Sequence, residues 1–159
     1  VARALIVGCG CRGRELGAQL LAEGWAVRGT SRRAEGLEPI EAVGIEPALA
    51  DPDRPGTILE LVGDVAVLVL LLGGAEGSAE ELEAIHGPRL ERLMEHLVET
   101  PVRGVLYEGT KTGEQIVRNA ERTWRIPARI LPKPRQPAFK AGGCGFADEV
   151  RAVLAGEVK

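Results

Sequence analysis

Leu5-Ile6-Val7-Gly8-Cys9-Gly10-Cys11-Arg12-Gly13 decides the fold. An apolar run, Ala4 to Val7, reads as a buried strand. It ends on a glycine, and two more glycines follow at G-x-G-x-x-G spacing. Beyond them Leu16, Leu20 and Leu21 share one face of a helix spanning Arg12 to Glu23, and Gly24 stops it. Each glycine of such a turn has a mechanical task. Gly8 permits the tight bend, Gly10 lets the backbone approach a pyrophosphate, and Gly13 lets helix and strand pack closely. The helix start adds N–H groups and partial positive charge. Gly8, Cys9, Gly10, Cys11, Arg12 and Gly13 are therefore candidate contacts to a dinucleotide. Cys9 and Cys11 read as small residues where backbone meets phosphate; a redox reading would need a resolving partner.

The second strand, Ala26 to Thr30, runs into Val27-Arg28-Gly29-Thr30-Ser31-Arg32-Arg33. A carboxylate at this strand end would accept from ribose hydroxyls and repel a 2′-phosphate. None is present. Hydroxyls and guanidinium groups hold a 2′-phosphate through charge-assisted hydrogen bonds, so the expected cofactor is NADP rather than NAD. Arg32 is the leading phosphate ligand, with Thr30, Ser31 and Arg33 beside it and Arg12 or Arg14 reaching from the glycine turn.

Further out, short apolar runs alternate with amphipathic stretches, which is the pattern of a parallel α/β sheet. A helix is expected over Ala34 to Ala42 and a weak third strand over Ile45 to Leu49. Asp51-Pro52-Asp53-Arg54-Pro55 then caps a helix to Val62. The unbroken apolar run Val65 to Leu72 predicts a central strand buried on both faces. Gly73 to Ser78 is a loop, Ala79 to Glu99 a helical stretch interrupted or kinked near Gly87-Pro88, Val102 to Tyr107 a fifth strand, Thr112 to Trp124 a helix, and Ala128 to Leu131 a sixth strand. Pro132 to Pro137 excludes regular structure, and Asp148 to Leu154 reads as a closing helix.

Composition agrees with this. The 159 residues suffice for one α/β domain, 1–159, without a separate substrate domain. Apolar residues make up 45% and aromatics only 3%, so the core is aliphatic. A net charge of −3 argues against nucleic acid or an anionic membrane as partner. The longest apolar run is too short to span a bilayer. Val1 to Val7 does not read as a secretion signal. Three cysteines without paired spacing suit a reduced, cytoplasmic interior.

From the G-C-G-x-x-G loop outward, the chain resembles the atypical and extended short-chain dehydrogenase/reductase superfamily, in particular its small NAD(P)-binding, epimerase-like members. Ala50-Asp51-Pro52 resembles the family's Gly-Asp-x segment, which puts Asp51 beside the adenine. Val65 to Leu72 followed by Gly73-Gly74-Ala75 resembles the family's fourth strand and the loop lining the cofactor, which makes Leu72, Gly73 and Gly74 candidate contacts. Ile126 to Pro132 is similar to its sixth strand and Phe146 to Leu154 to its late Asp-Val-Ala segment. The resemblance implies a three-layer Rossmann fold with strand order 3-2-1-4-5-6 and helices on both faces. It also implies an oxidoreductase or nucleotide-sugar epimerase-like protein acting on a small molecule.

The family's acid/base pair is Tyr-x-x-x-Lys. Tyr107-Glu108-Gly109-Thr110-Lys111 has those letters, so Tyr107 and Lys111 are the candidate catalytic residues. The segment nevertheless closes a strand instead of lying on a helix, the stretch that usually precedes it is deleted, and Pro132-Lys133-Pro134 stands where the family has Arg-Pro-Gly. A non-catalytic NADP sensor, or a subunit completed by a partner, is the alternative. His86 and His96 lack the helical phase of a metal pair and read as surface; no metal is expected. Leu82, Ile85, Leu90, Leu93 and Leu97 form a stripe that packs on the sheet, with a remainder for the homodimer face that the resemblance implies.

Overall fold

Alternating side chains of the first strand divide the core in two. The computed structural model describes residues 2–131. In strand β1, Arg3–Val7, the side chains of Ala4 and Ile6 pack on one face of the sheet, and those of Leu5 and Val7 on the other. Helix α1 (Cys11–Ala22) covers the first face with Leu16 and Leu20, joined by Ile40 of α2 (Leu37–Ala42). The second face is covered by α3 (Pro55–Leu59), α4 (Ala79–His86), α5 (Pro88–Leu97) and α6 (Lys111–Trp124), through Ile58, Ile85, Leu90, Leu93, Leu97 and Val117. Each such fully buried aliphatic side chain contributes about 1.5–3 kcal/mol, which is what holds the short helices in place.

The remaining strands are β2 (Ala26–Ser31), β3 (Glu46–Leu49), β4 (Val67–Leu71), β5 (Gly104–Glu108) and β6 (Ala128–Ile130). All pair in parallel in the order β3-β2-β1-β4-β5-β6. The expected order and layering are those observed. Most boundaries move by a residue or two. Val65 and Leu72 are buried but lie outside the ladder, so β4 is shorter than its apolar run. The helix expected over Ala34 to Ala42 begins as a 3₁₀ turn, Ala34–Gly36.

The interruption or kink expected near Gly87-Pro88 is an interruption, which divides the stretch into α4 and α5. Proline at N1 starts α5 afresh, and a Cβ on Gly87 would lie 2.7 Å from the Glu83 carbonyl oxygen. The stripe on α4 and α5 is mostly consumed by the core: Ile85, Leu90, Leu93 and Leu97 are all buried. The Pro132 to Pro137 segment and the helix expected over Asp148 to Leu154 lie outside the described residues.

Candidate functional site

Strands β1 and β4 are neighbours, although β2 and β3 separate them in sequence. The connections leaving their carboxyl ends cross opposite faces of the sheet, which opens a crevice between them. The glycine turn lines it. Gly8 has φ +79°, and a Cβ there would stand 2.5 Å from the Leu71 carbonyl oxygen, so only glycine fits. A Cβ on Gly13 would sit 3.1 Å from Ile6 Cγ2, the mark of close helix–strand packing. Gly10 differs. Its backbone is extended, and a Cβ there would meet nothing within 4 Å. Gly10 is the N-cap of α1 and offers no side-chain cap, and the first turn holds no acidic residue. This combination of open space and a helix start suits a diphosphate.

The turn is pinned from β2. Cys9 N donates to the Thr30 carbonyl at 2.9 Å and Gly8 N to Thr30 Oγ1 at 3.4 Å. Thr30 is 1% exposed, so it secures the loop and is not an open phosphate ligand. Cys9 also departs from expectation. Its side chain is buried against Gly29, where a Cβ would come within 2.6 Å of the sulfur. Cys9 is small because β2 is close, and its amide is already engaged. Burial pushes its thiol up to about 11, with Arg14 opposing weakly, so it is protonated and inert. Cys11 is disulfide-bonded, which the reading of three reduced thiols did not anticipate.

The arginines are placed near the crevice, and two of them arrive paired. Arg32 Nε lies 3.2 Å from Asp51 Oδ1, its NH1 donates to the Glu76 carbonyl at 2.9 Å, and its NH2 is 3.9 Å from Glu81 Oε2. Ser31 is turned to its own loop: its hydroxyl donates to the Arg33 carbonyl and accepts from Arg33 N. Arg33 is exposed. Arg12, in the first turn of α1, forms an ion pair with Glu108 at the end of β5. Glu108 is 1% exposed and packs against Gly73, whose missing Cβ makes room for the carboxylate. Leu72 N donates to the Glu108 carbonyl at 3.0 Å, tying the loop after β4 to β5. Gly74 has open space around it. Glu108 is the functional-site residue whose pairing sequence reasoning missed. A single acid closing an otherwise apolar strand was the signal.

The Tyr107/Lys111 expectation is corrected. Tyr107 is fully buried. Its hydroxyl is 2.7 Å from His86 Nδ1 and accepts from Thr110 N at 3.1 Å. Burial raises its pKa, with the Thr110 hydrogen bonds opposing. The alternation of β5 sends Val105 and Tyr107 into the core under α4–α6, away from the crevice. Lys111 is exposed at the start of α6 and takes no part in this bond. His86, expected at the surface, is buried as the partner of that tyrosine. Among the described residues no group of three or more His, Cys, Asp or Glu is placed to hold a metal ion.

Solved structures share this architecture. One is a short-chain dehydrogenase/reductase superfamily protein from Agrobacterium tumefaciens with bound NAD. It is 18% identical, covering 81% of this chain and 48% of that one, with TM-score 0.64. The chain carries a Rossmann fold. UDP-glucuronic acid 4-epimerase from Bacillus cereus, in complex with NAD, is 16% identical over 97% of this chain and 63% of its own, with TM-score 0.66. Triphenylmethane reductase from Citrobacter sp., complexed with NADP(H), is 17% identical over 86% and 51%, with TM-score 0.63. The Rossmann chain spans about half to two thirds of the length of these proteins. No protein-family model and no curated protein matches it. Among the described residues no helix is long and apolar enough to cross a membrane.

Proposed function

We propose that this chain binds a nicotinamide dinucleotide in the crevice between β1 and β4, its diphosphate over Gly10. The carrying observation is the division of labour among the glycines. Gly8 and Gly13 are closed by packing, whereas Gly10 opens onto empty space at an uncapped helix start. Structures of the same fold were solved with NAD or NADP(H), which supports the same ligand class. Asp51 and the Leu72–Gly73–Gly74 loop flank the adenosine and nicotinamide halves in this reading. The strand end after β2, with Arg32 and Arg33 and no acid of its own, favours the 2′-phosphorylated cofactor.

The reaction is left unassigned within oxidoreductase and epimerase chemistry on a small molecule. Burial of Tyr107 favours the second reading, an NADP-binding sensor or a site completed by a partner. A homodimer through α5 and α6 is part of the proposal, supported by Trp124, 43% exposed at the end of α6; sedimentation tests it. Titration with NADPH and NADH, followed by ligand fluorescence and thermal melting, tests the main reading. Saturable binding with a raised melting temperature is expected. An unchanged melt at millimolar nucleotide refutes it.

A further inference from the structure

We infer that Asp51 and Glu81 act as positioning residues that set how strongly the site discriminates a 2′-phosphorylated nucleotide, by holding Arg32 across the mouth of the crevice. The inference rests on the dinucleotide reading above. Its observations are separate from the glycine turn.

Arg32 immediately follows β2, in the half of the sheet where adenosine lies in that reading. Its guanidinium reaches in two directions. Asp51, just past β3, meets Nε at 3.2 Å. The Glu76 carbonyl, in the loop after β4, accepts from NH1 at 2.9 Å, and Glu81 in α4 faces NH2 at 3.9 Å. Strands β3 and β4 stand on opposite sides of the β2–β1 pair. One side chain therefore ties the two walls together. The carboxylates are held in place by their own loops. Asp51 Oδ1 also accepts from Asp53 N at 2.9 Å, and Asp51 N donates to Thr57 Oγ1 at 2.8 Å. Glu81 is tied to the N-cap Ser78: its N–H donates to Ser78 Oγ, and the Ser78 hydroxyl donates to Glu81 Oε1, leaving Oε2 toward Arg32.

The consequence follows from charge. A 2′-phosphate that takes this guanidinium competes with the Asp51 carboxylate and the Glu76 carbonyl for its N–H donors and rests beside two like charges. A ribose 2′-hydroxyl meets no such opposition. Arg32 supplies the attraction, Asp51 and Glu81 the opposition, and the NADPH/NADH ratio is their difference. Both partners of the Arg32–Asp51 pair are about one-third exposed (34% and 32%), so screening keeps each contribution modest.

The test is a cycle on the full chain, with NADPH and NADH titrated by fluorescence and 2′,5′-ADP against 5′-AMP by calorimetry. Glu81→Gln keeps the helix cap and removes the charge. It is expected to tighten NADPH and 2′,5′-ADP by roughly three- to fivefold while NADH and 5′-AMP stay within a factor of about two, since an exposed ion pair has this strength. Asp51→Asn, which retains the oxygen facing Asp53 N, raises the NADPH/NADH ratio in the same direction. In an Arg32→Ala background the Glu81→Gln effect shrinks to the direct repulsion alone, because the part that acts through the guanidinium is gone. A Glu81→Gln ratio equal to the parent's overturns the inference, as does an equal gain in the Arg32→Ala background. Should the parent bind neither dinucleotide, the functional reading itself falls. Binding of both with an unmoved ratio sinks the inference alone.

Discussion

Gly10→Val separates the folding role of the glycine turn from its binding role. Gly10 is extended at φ −83°, ψ −152°, a region open to any L residue, and a Cβ there meets nothing within 4 Å. The substitution therefore costs the fold little, under about 1 kcal/mol from the altered N-cap. For a protein of this size that is a melting shift of about 2–4 °C at most. The same side chain fills the volume proposed for the diphosphate. Charge-assisted hydrogen bonds from main-chain amides are each worth about 1.5–3 kcal/mol. Losing two of them weakens binding by about 3–6 kcal/mol, at least a hundredfold in Kd.

Gly8→Ala is the opposite control. It forces a non-glycine residue into the left-handed region and brings its Cβ within 2.5 Å of the Leu71 carbonyl oxygen. A loss of about 2 kcal/mol or more is expected, roughly 5 °C in melting temperature. Calorimetric titration and a thermal melt on the two variants give the answer. Dinucleotide affinity of Gly10→Val within threefold of the parent refutes the placement of the ligand. A Gly10→Val protein that loses affinity only because it has unfolded refutes the claim that the space above Gly10 is open.

Tyr107→Phe is expected to destabilise the fold by about 1–3 kcal/mol, by depriving buried His86 and the Thr110 amide of the hydroxyl, with dinucleotide affinity unchanged; urea denaturation together with titration checks this, and an affinity loss at unchanged stability would return Tyr107 to the crevice. Cys9, with its thiol raised to about 11, should resist iodoacetamide at pH 8 in the native protein and react on unfolding, followed by mass spectrometry of the labelled peptide. Fast native labelling contradicts its burial between α1 and β2. Asp64, at the opposite end of the sheet, is held below its ordinary 3.8 mainly by its hydrogen bond from Arg28. A carboxylate depressed in the folded state contributes stability above that value and loses it as pH falls through the lower one. Asp64→Asn should flatten the acid limb of melting temperature against pH by a small amount, since the group is 54% exposed, and high salt should do the same to the parent.

How much was legible follows from the range of each interaction. The glycine turn could be read because each requirement is local: a left-handed bend, a close approach and an open cap within six residues. The parallel α/β sheet could be read because short apolar runs alternate with amphipathic helices, whereas its strand order came only from the family resemblance. Tyr107 misled because Tyr-x-x-x-Lys fixes a shared face only on a helix; on β5 the alternation turns the same tyrosine into the core. His86 misled because its partner, the Tyr107 hydroxyl, lies 21 residues on in the chain and meets it only in the folded core. The partners of Arg32 were invisible because Asp51 and Glu81 come near it only when β3 and the start of α4 are folded to either side of one crevice.

The two paired arginines consequently differ in kind, though the sequence offers both as phosphate ligands. Arg12 answers a carboxylate that is almost wholly buried; its removal would leave Glu108 charged in a dry place, so its first duty is to the fold. Arg12 therefore cannot leave its partner to follow a phosphate. Arg32 faces carboxylates that water reaches, so exchanging them for a ligand strands no buried charge. Selectivity can therefore reside in Arg32 and its neighbours, where partners exchange at low cost, while Arg12 and Glu108 keep the crevice floor fixed beneath whichever nucleotide enters.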